Sequence, residues 1–131
     1  MSTLSPWNPY ASECPTRFIL QRVADKWAML ILGLLHDRTW RFNELLRQIE
    51  GISQKVLSQT LKRLERDGLI LRTPIDTVPT SVEYSLTNLG ATLADAVAVT
   101  IAWAEKNAAA VLQAQSNYDL NLGGIVEPLH R

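Results

Sequence analysis

The sequence predicts a mainly α-helical domain that carries one small β-hairpin. Three observations support this. In residues 51–70, GISQKVLSQTLKRLERDGLI, the side chains of Val56, Leu57, Thr60, Leu61 and Leu64 recur at three- and four-residue steps, the stripe of a helix packed on a core. Residues 69–87 then switch to a period of two on both sides of the turn-like stretch DTVPT, as a hairpin requires. From Thr87 to about Ser116 the chain is almost free of helix breakers, which predicts a final helix of roughly 45 Å.

Taken in order, residues 1–13 combine Pro6, Pro9, Ser2, Ser5, Asn8 and Ser12 and are expected to form an extended or disordered arm. Pro15 suits the first turn of a helix that carries Phe18, Ile19 and Val23. A second helix, from about Asp25 to His36, is apolar on both faces (Trp27, Leu30, Ile31, Leu34 and Leu35; Ala28, Met29 and Leu32) and should be the central one. The piece RTWRF is rich in strand formers. FNELLRQIE returns to helical spacing through Phe42, Leu45, Leu46 and Ile49, and Glu50 and Gly51 turn the chain into the helix of residues 54–67. Ser53 can cap that helix and Gly68 can end it. Two short amphipathic helices joined by a Gly-containing turn form a helix-turn-helix candidate. Followed directly by a hairpin with Pro74 and Pro79 near its tip, they make a winged helix-turn-helix, and the hairpin is the wing.

The expected organisation is thus an arm at 1–13, a winged helix-turn-helix domain at 14–87, a dimerisation helix at 88–118 and a tail at 119–131. Dimerisation is expected because the last helix carries two apolar stripes. One holds Leu89, Leu93, Val97, Ile101 and Ala104, and the other Ala96, Val99, Trp103 and Val111, so a second surface is needed to cover both.

Composition narrows the function classes. With 131 residues and 47% apolar content, one ordinary globular domain is expected. The longest apolar run, Trp27 to Leu35, is far shorter than the ~20 residues that cross a bilayer, and the first residues, MSTLSPWNPYASEC, lack the pattern of a signal peptide. A cytoplasmic protein without membrane contact is the expectation. The single Cys14 excludes an intrachain disulfide, and His36 and His130 have no partner at metal-ligand spacing, so no metal site is expected. With no His or carboxylate cluster and no phosphate-binding glycine loop, an enzyme is not expected. Net charge is zero overall, yet the stretch from Arg38 to Arg72 carries +4 and the remainder −4. The electropositive part therefore coincides with the helix-turn-helix.

Between about Cys14 and Ala104 the chain resembles the HxlR-type transcriptional regulators, winged helix proteins related to the MarR group. The resemblance is carried by CP before the first helix, DKWAMLIL in the second, RFNELLRQIEGIS across the helix-turn-helix, VLSQTLKRLERDGLI in the recognition helix and VEYSLTNLG after the wing. It implies a homodimer held by the first and last helices, with two recognition helices in successive major grooves of a roughly palindromic site. It adds no cofactor and no catalytic residue. Two departures stand out: Ala24 and Asp25 replace a common glycine pair before KW, and Thr80 and Ser81 replace a common Pro-Arg pair, so the usual basic side chain of the wing is missing.

On double-stranded DNA, the polar side chains of residues 53–62 suit base edges and phosphates. Gln54 and Gln59 match adenine, Lys55 matches guanine or phosphate, and Ser53 or Ser58 matches either. Lys62, Arg38 and Arg41 are better placed for phosphate. The reading that follows is a sequence-specific regulator, acting as a repressor because a dimer on a promoter blocks polymerase without further contacts. Cys14 is the candidate signal receiver. Just before Pro15, its sulfur would meet the positive end of the helix dipole with Arg17 near in sequence, both of which favour the thiolate that reacts with oxidants, quinones or aldehydes. Regulators in the resembled family include some that respond through a cysteine at this place. The competing readings are a thiol that merely packs, a small apolar ligand lined by Trp27, Trp40, Trp103 or Tyr118, and a winged helix that binds protein without DNA specificity.

Overall fold

The structure, a computed structural model, describes residues 6–120. Its element order is α1 (Pro15–Val23), α2 (Lys26–Asp37), β1 (Trp40–Arg41), α3 (Phe42–Gln48), α4 (Gln54–Arg66), β2 (Ile70–Ile75), β3 (Ser81–Leu86) and α5 (Asn88–Asp119). The chain divides into two compact units, one reaching Val97 and the other beginning at Ala98, so the first turns of α5 belong with the winged unit beyond residue 87.

Local sequence explains the helix boundaries. Asp25, the residue that departs from the glycine pair, caps α2: its Oδ2 accepts the Ala28 N–H at 3.0 Å. Ser53 Oγ accepts the Val56 N–H at 3.1 Å and starts α4. At the other end of α4 the Gly68 N–H donates to the Glu65 carbonyl and the Leu69 N–H to the Leu64 carbonyl, both at 3.0 Å. This Schellman pattern needs the positive φ of +77° that Gly68 adopts. Thr87 caps α5, accepting the Gly90 N–H at 2.9 Å while its hydroxyl donates to the Gly68 carbonyl at 2.7 Å.

The core of the first unit is built by Ile31 and Leu32 of α2, Leu45 of α3, Leu57, Leu61 and Leu64 of α4, and Ile70 of β2. As expected, α2 is central, packing against both α4 and β3. Thr60 belongs to the buried stripe because its hydroxyl donates to the Val56 carbonyl at 2.8 Å and leaves no polar group unsatisfied.

Three expectations need correction. The hairpin is part of a three-stranded antiparallel sheet of order β1-β3-β2, because RTWRF supplies a third strand in which Trp40 pairs with Tyr84 and Arg41 with Glu83. On α5, the stripe buried in the first unit is Gly90, Ala94 and Val97, whereas Leu89 is 60% exposed. The cause at the start of the helix is close approach: a Cβ on Gly90 would lie 1.8 Å from the Leu69 carbonyl oxygen, so only a residue without a side chain fits there, while Leu89 beside it stays exposed and Leu93 is half-buried. Residues 8–14 form successive turns in place of an extended arm, with the Ala11 N–H donating to the Asn8 carbonyl and the Cys14 N–H to the Ala11 carbonyl. The expected tail lies almost wholly outside the described residues.

Candidate nucleic-acid interface

The helix-turn-helix is α3 and α4. Ile49 and Ile52, both buried, pin the turn between them, and Gly51 takes a φ of +89° that reverses the chain. With Leu57, Thr60, Leu61 and Leu64 buried, the opposite face of α4 is fixed toward solvent. Gln54, Lys55, Gln59 and Lys62 are exposed there and Ser58 is half-buried beside them. None of these five side chains has a hydrogen-bond or ion-pair partner among the described residues. Ser53 differs, because its hydroxyl is spent on the helix cap.

The two arginines expected at phosphate fare differently. Arg38 is engaged within the fold: its guanidinium lies 3.6 Å from the centroid of the Trp40 ring, and Nη1 donates to the Thr39 carbonyl at 2.7 Å and to Glu44 Oε1 at 3.4 Å. Arg41 is exposed at the start of α3, where its backbone N–H donates to Glu44 Oε1 at 2.9 Å. That hydrogen bond, with help from Arg38, holds the Glu44 carboxyl below its ordinary value. Trp40 is fixed as well, its indole N–H donating to the Leu34 carbonyl at 2.9 Å.

Two further arginines, counted in the electropositive stretch but given no role from sequence, gather beside this region. Arg47 of α3 and Arg72 of β2 line a groove of about 580 Å³ together with Arg41, Asn43, Glu44 and the loop of residues 77–81. Their charge was legible in the sequence; their convergence depends on how the sheet meets α3.

Cys14 is the N-cap residue of α1, yet only 5% exposed, with its thiol donating to the Pro6 carbonyl at 3.5 Å. Arg17 is directed to the same preceding segment, where Nε and Nη2 each donate at 3.0 Å, to the Pro9 and Tyr10 carbonyls. The thiol is thus buried against the Pro6 carbonyl, in the segment that Arg17 also holds. Among the described residues no group of three His, Cys, Asp or Glu side chains could hold a metal ion, and no helix is long and apolar enough to cross a membrane.

This geometry agrees with known proteins. A family model described as HxlR-like helix-turn-helix matches residues 22–111. YtfH of Escherichia coli strain K12, an uncharacterised HTH-type transcriptional regulator, is 43% identical over 109 residues, which span 83% of this chain and 86% of that one. The solved structure of ytfH from Salmonella typhimurium superposes with a TM-score of 0.77 at 43% identity, covering 82% of this chain and 96% of the other. The redox regulator HypR in its oxidised form gives a TM-score of 0.66 at 38% identity, over 72% of this chain and 97% of HypR. The winged helix-turn-helix, the exposed polar face of α4 and these relatives together establish that the chain belongs to the HxlR-like helix-turn-helix family of transcriptional regulators.

Proposed function

We propose that the protein is a homodimeric repressor that reads a roughly palindromic operator with α4 and whose DNA affinity is set by the redox state of Cys14. One observation carries the DNA assignment: the solvent face of α4 presents Gln54, Lys55, Gln59 and Lys62 without partners, on a helix whose other face is locked into the core. Residues near the N-terminus of such a helix enter the major groove deepest, so Gln54, Lys55, Ser58 and Gln59 read bases while Lys62 and Arg41 contact phosphate. Arg38, stacked on Trp40, supports phosphate contact only if it leaves Glu44.

The dimer is supported by what the described residues leave uncovered. α1 buries none of its residues and exposes Phe18, Ile19 and Leu20, and α5 exposes Val99, Trp103, Leu112 and Tyr118. Two-fold pairing of such surfaces gives two recognition helices and hence a palindromic site. Redox control is supported by the single thiol at the start of α1 and by the likeness to HypR. Because the Cys14 thiol is buried against the Pro6 carbonyl, oxidation by peroxide, or alkylation by a quinone or aldehyde, requires its surroundings to open. Modification then changes the surroundings of α1, the helix that would position the second subunit.

A second reading, a small apolar effector, is favoured by a groove of about 410 Å³ lined by Ile19, Val23, Leu69, Leu89 and Leu93.

Fluorescence anisotropy on duplexes from upstream of the protein's own gene, at one fixed salt concentration, tests the proposal. The expected result is sequence-preferring binding by the reduced protein that diamide alters and that Cys14→Ser makes indifferent to diamide. Binding unchanged after complete, mass-verified modification of Cys14 removes the redox assignment and directs the search to the apolar groove. Equal affinity for all duplexes removes the operator.

A further inference from the structure

The wing carries its positive charge in an unusual place. The loop between β2 and β3, residues 76–80, is Asp-Thr-Val-Pro-Thr, with one acidic side chain and no basic one. A tip of this composition is poorly suited to the negative potential of a minor groove. The charge lies at the flank instead. Arg72 pairs in register with Tyr84, and on that face of the sheet Ile70 and Tyr84 are buried whereas Arg72 is exposed, so it stands where the core ends.

Across from it α3 presents Asn43 and Arg47, four residues apart and thus on one face of the helix. Arg41 completes the basic lining. Glu44, the only carboxylate among the described residues that line this groove, is already occupied by the Arg41 N–H and the Arg38 guanidinium. Neither Arg47 nor Arg72 has a carboxylate partner among the described residues. Guanidinium groups in this state, on two different elements and facing one groove of about 580 Å³, match an extended chain of phosphodiesters.

We propose that the groove between α3 and the β2–β3 hairpin seats the sugar-phosphate backbone of one DNA strand, Arg47 and Arg72 each neutralising a phosphate. The wing then grips DNA by its flank, and its tip reads no bases. This rests on the assignment of α4 to the major groove and extends the interface beyond it. Phosphate contacts are indifferent to sequence and release counterions, which gives them a signature distinct from that of the α4 glutamines.

The test is the salt dependence of duplex binding for the full-length protein, with Arg47→Gln, Arg72→Gln, the double variant, and Lys106→Gln on α5 as control. Because a homodimer carries each arginine twice, each single variant is expected to lower the slope of log K against log salt by about 2 and the double by about 4, with a loss of roughly tenfold for each phosphate contact removed near 0.1 M salt, on operator and unrelated duplex alike. Should Arg72→Gln disturb the hairpin by circular dichroism, Arg47→Gln on α3 decides. Unchanged slopes in folded variants, with Lys62→Ala still lowering its own slope, overturn the groove and leave the α4 assignment standing. Loss confined to the operator duplex overturns the phosphate role in favour of base contact. Failure of the wild-type protein to bind any duplex overturns both.

Discussion

α4 and the part of α5 from Ala98 onward are both regular helix, but they treat their apolar side chains in opposite ways. α4 buries Leu57, Leu61 and Leu64 and turns only polar groups to solvent. Beyond Val97, α5 has no buried residue among the described ones, while Val99, Leu112 and Tyr118 are exposed and Trp103 is 60% exposed. Among the described residues the winged unit therefore has a complete core, and the last helix beyond Val97 has none. Helical stability in water comes mainly from packing of an apolar face, so the second region calls for another surface where the first does not.

The contrast can be broken most severely at α4. Leu61→Ala removes a side chain that is fully enclosed, and it is expected to cost about 2–5 kcal/mol of unfolding free energy, measured by denaturant titration. A loss below about 1 kcal/mol would mean that the α4 stripe is not the core of its unit. At α5 the matching substitution should act on association. Trp103→Ser is expected to weaken the proposed dimer by about 2 kcal/mol, a shift of roughly thirtyfold in dissociation constant by sedimentation equilibrium. If the wild-type chain sediments as a monomer at micromolar concentration, the exposed face of α5 needs another explanation.

Smaller effects sharpen the same distinction. Ser53→Ala deletes the cap of α4 and should cost about 1 kcal/mol while leaving the association state alone. Glu44→Gln should have the smallest effect, present near neutral pH and vanishing in acid. The folded Glu44 carboxyl lies below its ordinary value of 4.5, chiefly through the Arg41 N–H. It therefore contributes stability above that pH and loses the contribution as pH falls through the lowered folded value. Relative to wild type, the Gln variant is expected to lose less stability between neutral pH and pH 3, as read from thermal midpoints.

How much of this could be read from sequence varies by element. The limits of α4 were legible because Ser53 and Gly68 impose them locally, through one side-chain hydrogen bond and one backbone conformation. The exposed face of α4 was legible for the same reason, since a helix with one apolar stripe has only one way to turn. β1 was only partly legible: Trp40 and Arg41 look like strand formers, but two residues become a strand only when β3 lies beside them. The stripe of α5 was misread in its first turns because hydrophobicity favours Leu89 and Leu93, whereas steric fit against the Leu69 carbonyl selects Gly90. Arg38 is another such case, since nothing in its neighbours along the chain reveals that Trp40 and Glu44 hold it.

The sequence by itself determined the main helices, the limits of α4, the helix-turn-helix with its wing, the polar face of α4 and the family to which the chain belongs. Each depends on periodicity, capping chemistry or residue order over short spans, where interactions are local. Tertiary structure decided that Gly90 packs against the Leu69 carbonyl, that Cys14 is buried, and that Arg41, Arg47 and Arg72 share one groove. Those facts rest on contacts between residues distant in the chain, whose distances are set by the packing of the whole unit.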